Sequence, residues 1–128
     1  MVEVLEMSKE NKLYHYSAEV TRVVDGDTVD AFVDLGFDMH SKQRVRLYGI
    51  NTPECRTRDK VEKVAGFAAK ARLVEMLRKN KNKCIIKTRL DKKGKYGRVL
   101  GVLYVDNKDL NAALVKEGHA KRYYGGSR

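Results

Sequence analysis

The sequence predicts an α+β, mainly β domain: five strands, a long helix between the third and fourth, and a short helix near the C-terminus. Three observations predict it. Before residue 51 the apolar residues alternate with a period of two, as on a half-buried strand. Between about Asp59 and Lys79 the period lengthens to that of a helix. Two more strand-like runs and a short helical run stopped by Gly118 complete the chain. A length of 128 residues suits one compact domain with a single core.

Residues 1–12 are charged and patternless and read as a flexible N-terminal arm, so the domain is expected over residues 13–128. From His15 to Leu35 two strands are expected, broken at "DGD", a strong turn signal. In the second strand Val29, Ala31, Val33 and Leu35 alternate with Asp30, Phe32 and Asp34, and Gly36 closes it. A third strand is expected from about Lys42 to Ile50, with Val45 and Leu47 on one side and Arg46 and Tyr48 on the other. Pro53 ends the pairing, because it has no N–H to give a ladder. In the helix, Val61, Val64, Ala65, Ala68, Ala71 and Leu77 form the expected apolar stripe, and Asp59 with Glu62 resembles a capping box. Gly66 inside it costs roughly 1 kcal/mol relative to alanine, which points to a close packing contact. "NKNK" ends the helix. Strands over Cys84–Leu90 and Val99–Val105 flank the basic loop "DKKGKYGR", and "DNKDLNAALVKEG" reads as a turn and a short helix. Three strands, a helix, two strands and a helix is the order of an OB-fold barrel, which commonly presents a face to oligonucleotides. No repeat or linker interrupts it, so a single domain is expected.

The chain carries 27 Lys and Arg against 17 Asp and Glu, a net charge of +10, and is 42% hydrophobic. That hydrophobic content argues against disorder throughout. No apolar run is long enough to cross a bilayer, so no membrane partner is expected. The basic excess favours a polyanion, nucleic acid being the commonest, although a solvated basic surface fits the charge equally well. "MVEVLEMSKENK" lacks the basic-then-apolar order of a secretory signal. A cytoplasmic location is therefore expected for this form, with secretion after signal removal as the alternative. Cys55 and Cys84 imply no disulfide framework, and His15, His40 and His119 are too widely separated to suggest zinc. Cys55 reads as a small loop residue and Cys84 as a buried free thiol. A monomer is the default for one small domain.

Three segments concentrate chemistry-bearing residues. "VVDGDTV" puts Asp25 and Asp27 at a tight turn, "VRLYGINTPE" offers Arg46, Asn51 and Glu54, and "KKGKYGR" offers Lys95, Tyr96 and Arg98. Each has an ordinary reading: turn chemistry, a strand end before a helix, and a solvated basic loop. Together they match what phosphodiester cleavage needs. Anionic oxygens repel a nucleophile and gain charge as the bond breaks, so preorganised cations supply the largest catalytic term. Arginines bind phosphate oxygens bidentately and stay charged. A hard divalent cation on oxygen ligands adds positive charge, and a carboxylate accepts or orients the proton of the attacking water. Arg46, Arg98, Asp27 and Glu54 suit these roles.

"DGDTV", "RLYGINTPE" and "KYGR", in that order and around a helix beginning near Glu62, resemble staphylococcal nuclease and its thermonuclease-like relatives. The resemblance covers roughly Ala18 to Tyr124. It implies an OB-fold barrel and a calcium-dependent endonuclease of low specificity, acting on DNA and RNA and leaving 3′-phosphate ends. By position it implies Arg46 and Arg98 as the phosphate clamp and Glu54 as general base or water-positioning group. Asp27, Asn51 and the backbone carbonyl of Thr52 would be the Ca²⁺ ligands. Lys95 and Tyr96 would hold a terminal phosphate, and Tyr124 would lie against the nucleoside.

Two departures stand out. Asn51 replaces a family aspartate, so one negative charge is missing and weaker calcium binding is expected. A second family tyrosine falls at Gly126, and Tyr123 offers another stacking surface. Single strands are the expected preference. The rival reading is a catalytically silent OB-fold module that only binds nucleic acid; survival of both arginines and both carboxylates favours the enzyme. A basic protein-interaction domain ranks last, because it leaves the ordered motifs unexplained.

Overall fold

Strand alternation builds a barrel, seen in a computed structural model that describes residues 14–89 and 99–124. β1 (His15–Asp25), β2 (Thr28–Gly36) and β3 (Met39–Leu47) form an antiparallel meander. After β4 (Ile50–Asn51) comes α1 (Lys60–Arg78), followed by β5 (Lys83–Arg89), β6 (Val99–Val105), β7 (Lys108–Asp109), α2 (Leu110–Lys116) and β8 (Lys121–Arg122). β5 pairs antiparallel with β1 and with β6. β6 then pairs in parallel with β3, Val45 beside Val99 and Leu47 beside Gly101. That last pairing closes the five long strands, so the barrel has no open edge. The fold is the five-stranded OB-type barrel with two helices that the element order predicts.

Inward-facing residues of every long strand meet in one core with the underside of α1 and α2. Val29, Ala31 and Val33 of β2, Val45 and Leu47 of β3, Ile86 of β5 and Leu103 of β6 join Leu73, Leu77 and Leu114 of the helices there. Leu35, expected inside, is 46% exposed. It lies at the end of β2, past the last buried inward position Val33, where the strand runs out toward its hairpin.

The helix begins and ends where expected, but of the expected stripe it buries only Leu77. Asp59 caps it, its carboxylate accepting from the amides of Val61 and Glu62. The amide of Asp59 donates to the Thr57 hydroxyl, so the side-chain partner closing the cap from the other side is Thr57. Gly66, Ala69, Leu73, Met76 and Leu77 are the buried positions. Val61 is 80% and Val64 71% exposed, and Ala65, Ala68 and Ala71 also face out. Both sets obey helical spacing. The small Gly66 and Ala69 bring the α1 backbone closer to the barrel than valine would allow.

The third strand ends earlier than expected, at Leu47. Gly49 adopts a left-handed φ of +79°, which few other residues tolerate, and breaks the ladder. Ile50 and Asn51 then pair with Arg122 and Lys121 of β8. Among the described residues, Asn111 reinforces this break: its Nδ2 donates to the carbonyls of Tyr48 and Gly101, and its Oδ1 accepts from the Leu103 amide. The expected N-terminal arm and the loop between β5 and β6 lie outside the described residues.

Candidate active site

Barrel geometry brings the first two motifs to one end. The Asp25–Gly26–Asp27 turn joins β1 to β2, and register places Thr28 beside Arg46 on β3. The amide of Leu47 donates to the Asp27 carbonyl at 2.7 Å, tying the turn to the strand end that leads to Asn51. β1 bulges between Val20 and Arg22 and again between Val23 and Asp25, bending the strand toward the turn, as bulges near functional sites do.

Asp27 is buried and its carboxylate is held on both oxygens. Oδ1 accepts from the Thr28 hydroxyl at 3.0 Å, and Oδ2 accepts from the Thr52 amide at 3.1 Å. The Arg46 guanidinium lies 3.6 Å from Oδ2, with its Nη1 donating to the Leu47 carbonyl at 2.9 Å. Arg46 is therefore oriented by its own strand, and Asp27 by the loop that follows. Asp25, Asp27, Thr28, Arg46, Asn51, Thr52, Pro53 and Glu54 line one small cavity of about 120 Å³. Glu54 is on its exposed rim and Thr52 at its buried wall. The sequence-predicted Asp27, Arg46, Asn51, Thr52 and Glu54 thus come together.

The cavity's donors are carboxylate, amide, hydroxyl and carbonyl oxygens, with no imidazole or thiolate in the lining, a set that suits a hard divalent cation. Among the described residues no three His, Cys, Asp or Glu side chains gather to hold a metal. A cation here would depend on the neutral oxygens of Asn51 and Thr52 beside Asp27. The buried hydroxyl of Thr52, a residue of the cavity wall, lacks a hydrogen-bond partner. On donor chemistry the site fits such an ion, with less fixed negative charge than an all-carboxylate cage.

Tyr124 packs against Tyr48 and Gly49, in the segment between β3 and β4. The amide of Tyr123 donates to the Gly49 carbonyl, and the Tyr124 ring meets Tyr48 edge-on at 5.6 Å. The Arg89 guanidinium lies 4.3 Å over the other aromatic, Tyr48. A Cβ on Gly49 would stand 3.1 Å from the Tyr124 ring, so the glycine serves this approach as well as the turn. From the sequence Tyr48 is expected only as an outward residue of the third strand, and Arg89 is not singled out. Tyr48 lies just past the end of β3, and its contact with Arg89 of β5 joins elements far apart in sequence.

Cys55 is more than a loop filler. It is buried, and its thiol pKa is raised, first by burial and then by its hydrogen bond to the Asp25 carboxylate. Cys84 is the buried free thiol expected, pushed up to about 12 by burial. The expected Lys95, Tyr96 and Arg98 lie outside the described residues.

The family model described as staphylococcal nuclease homologue matches residues 44–128. The chain belongs to that family. It is 32% identical over 130 residues to an uncharacterized protein of Methanocaldococcus jannaschii, covering 85% of this chain and 60% of the relative. Endonuclease YncB of Bacillus subtilis is 31% identical over 103 residues, covering 80% of this chain and 46% of its own. The micrococcal nuclease of Shigella flexneri is 31% identical over 121 residues, covering 86% and 61%. The chain therefore spans 46–61% of the length of these curated relatives. Among the described residues no helix is long and apolar enough to cross a membrane.

Proposed function

We propose that this chain is a metal-dependent nuclease that hydrolyses phosphodiester bonds of DNA and RNA with low sequence specificity. Family membership and the nuclease names of two relatives support a nuclease-like function on nucleic acid. The observation that carries the reading is the convergence of Asp27, Arg46, Asn51, Thr52 and Glu54 on one polar cavity.

In this reading Arg46 and Arg98 bind the non-bridging oxygens of the scissile phosphate and offset the charge that builds there. Glu54 orients a water against phosphorus and accepts its proton on a carboxylate oxygen. The new bond is water oxygen to phosphorus, and the bond that breaks is phosphorus to O5′. A 3′-phosphate end results, and the departing O5′ takes up a proton. Asp27, Asn51 and Thr52 would hold Ca²⁺, which supplies Lewis-acid stabilisation of the phosphoryl oxygens when bound. Lys95 and Tyr96 secure a terminal phosphate. Tyr124, with Tyr48 at its edge, offers a base a face that tolerates any sequence, and single strands reach it most easily. The chain acts as a monomer.

The test is release of acid-soluble nucleotides from heat-denatured DNA, in calcium and in EDTA, with Glu54→Gln alongside. Release that needs calcium and collapses in the variant supports the enzyme. One observation favours the silent binding module instead, the neutral Asn51 in the donor set. DNA retention with no release at any calcium concentration would establish that second reading.

A further inference from the structure

Glycine can be demanded by its φ or by its lack of a side chain. Left-handed φ values belong to Gly36, Gly49 and Gly118 among the described glycines, so Gly26 and Gly66 answer to space. A Cβ on Gly66 would lie 2.5 Å from the Glu54 carbonyl oxygen, 2.6 Å from its carbon and 2.9 Å from the Cys55 nitrogen. A Cβ on Gly26 would lie 2.7 Å from Ala69 Cβ and 3.1 Å from Thr52 Cγ2 and Oγ1. The two contacts fall on α1 three residues apart, on one face and about 4.5 Å along the axis. One contact carries the Glu54 peptide; the other carries the turn that holds Asp25 and Asp27.

The far half of α1 is fixed. Leu73, Met76 and Leu77 are seated in the core, and Arg72 donates to the Glu117 carboxylate of the segment after α2. An anchored helix with two small residues facing the site sets how closely both loops approach. Gly66 would gain roughly 1 kcal/mol of helix propensity as alanine, so its presence mid-helix marks the contact.

We propose that Gly66 and Ala69 are positioning residues, which set the separation between Glu54 and the Asp25–Asp27 turn. This rests on the nuclease reading of that cavity. An alanine at position 66 starts 2.5 Å from backbone, where ordinary contact begins at 3.4 Å. Relief moves the Glu54 peptide by about 1 Å, a misplacement that costs on the order of 100-fold in rate.

The test compares Gly66→Ala, Gly26→Ala, Ala69→Gly and the double variant Gly26→Ala/Ala69→Gly with wild type. Ile86→Ala, a cavity in the core outside this contact, is the control for lost stability. Cleavage of an end-labelled single-stranded oligonucleotide in calcium is measured where circular dichroism shows each variant folded. Gly66→Ala and Gly26→Ala should lose on the order of 100-fold in kcat with KM little changed, while Ile86→Ala loses melting temperature and keeps its kcat. The double variant moves one methyl across the 2.7 Å contact and should recover part of the Gly26→Ala loss, the 3.1 Å approach to Thr52 remaining. The Glu54 amide resonance should shift in Gly66→Ala, and the Thr52 amide resonance, which reports on Asp27, should shift in Gly26→Ala and move back in the double. Unchanged kcat in Gly66→Ala and Gly26→Ala, or no recovery in the double, overturns positioning while leaving the nuclease standing. A folded wild type that cleaves no polynucleotide overturns both.

Discussion

Replacing Asn111 tests how the barrel fixes the chain that leads into the site. Its side chain is buried, 3% exposed, and serves three backbone groups. Two donations to carbonyls and one acceptance from an amide determine the amide's orientation, since a flipped group would face oxygen with oxygen. In Asn111→Ala the Gly101 carbonyl keeps the Tyr48 amide as a donor at 2.8 Å. The Tyr48 carbonyl and the Leu103 amide lose their Asn111 partner. Each buried group left unsatisfied costs about 1–3 kcal/mol, so a loss of about 3 kcal/mol is expected. On a total of about 5–15 kcal/mol that is a large fraction, and it lowers the melting temperature by roughly 12 °C. Urea unfolding measures it, with Asn111→Asp beside it. The aspartate keeps the acceptor for Leu103 but turns a carboxylate toward two carbonyls, so it should be worse than alanine. A midpoint for Asn111→Ala within about 1 kcal/mol of wild type would refute the reasoning.

Two further outcomes follow from the geometry. Burial raises Cys84 from 9.0 to about 12, so the folded state resists ionisation. Its contribution is fully present below pH 9 and is lost as pH rises toward 12, at about 1.4 kcal/mol per pH unit. The difference between wild type and Cys84→Ala in urea midpoints across that range should show this slope, and parallel curves would count against it. Asn51→Asp restores a carboxylate to the cavity. A unit charge about 4 Å from a divalent ion in water-like dielectric contributes about 2 kcal/mol, a roughly 30-fold gain in calcium affinity. Isothermal titration measures it, and an unchanged dissociation constant would remove Asn51 from the ligand set.

Much of the barrel is legible because strand period reports on local geometry. Val29, Ala31, Val33, Val45 and Leu47 had to face one way once their segments were extended. The α1 stripe was misread for the opposite reason. The expected Val61, Val64, Ala65, Ala68 and Ala71 and the buried Gly66, Ala69, Leu73 and Met76 both satisfy a helical repeat, Leu77 belongs to both sets, and hydrophobicity favoured the valines. Closeness of approach decided instead, and nothing in the periodicity of one segment encodes its distance from another. Asn111 was silent for the same reason, since its three partners lie on other elements. In the site, Asp27, Arg46, Asn51, Thr52 and Glu54 were legible because they stand in ordered motifs close in sequence. Tyr48, Arg89 and the Cys55 link to Asp25 were not, because each depends on contacts between elements.

The cavity lies where the barrel stops being regular, and that location explains its construction. Strand pairing holds Thr28 and Arg46 directly, but it ends at Leu47, before Asn51, Thr52 and Glu54. Those residues are placed by ties from outside the five-stranded ladder. Asn111 holds the Tyr48 carbonyl, β8 pairs with Ile50 and Asn51, the Thr52 amide reaches Asp27, and Gly66 meets the Glu54 peptide. Three of these ties are made without a side chain that lines the cavity, whereas the fourth, from the Thr52 amide, is accepted by the Asp27 carboxylate itself. The barrel alone would place one wall of the cavity. The helices and the C-terminal segment place the other, which makes residues outside the cavity able to set its geometry.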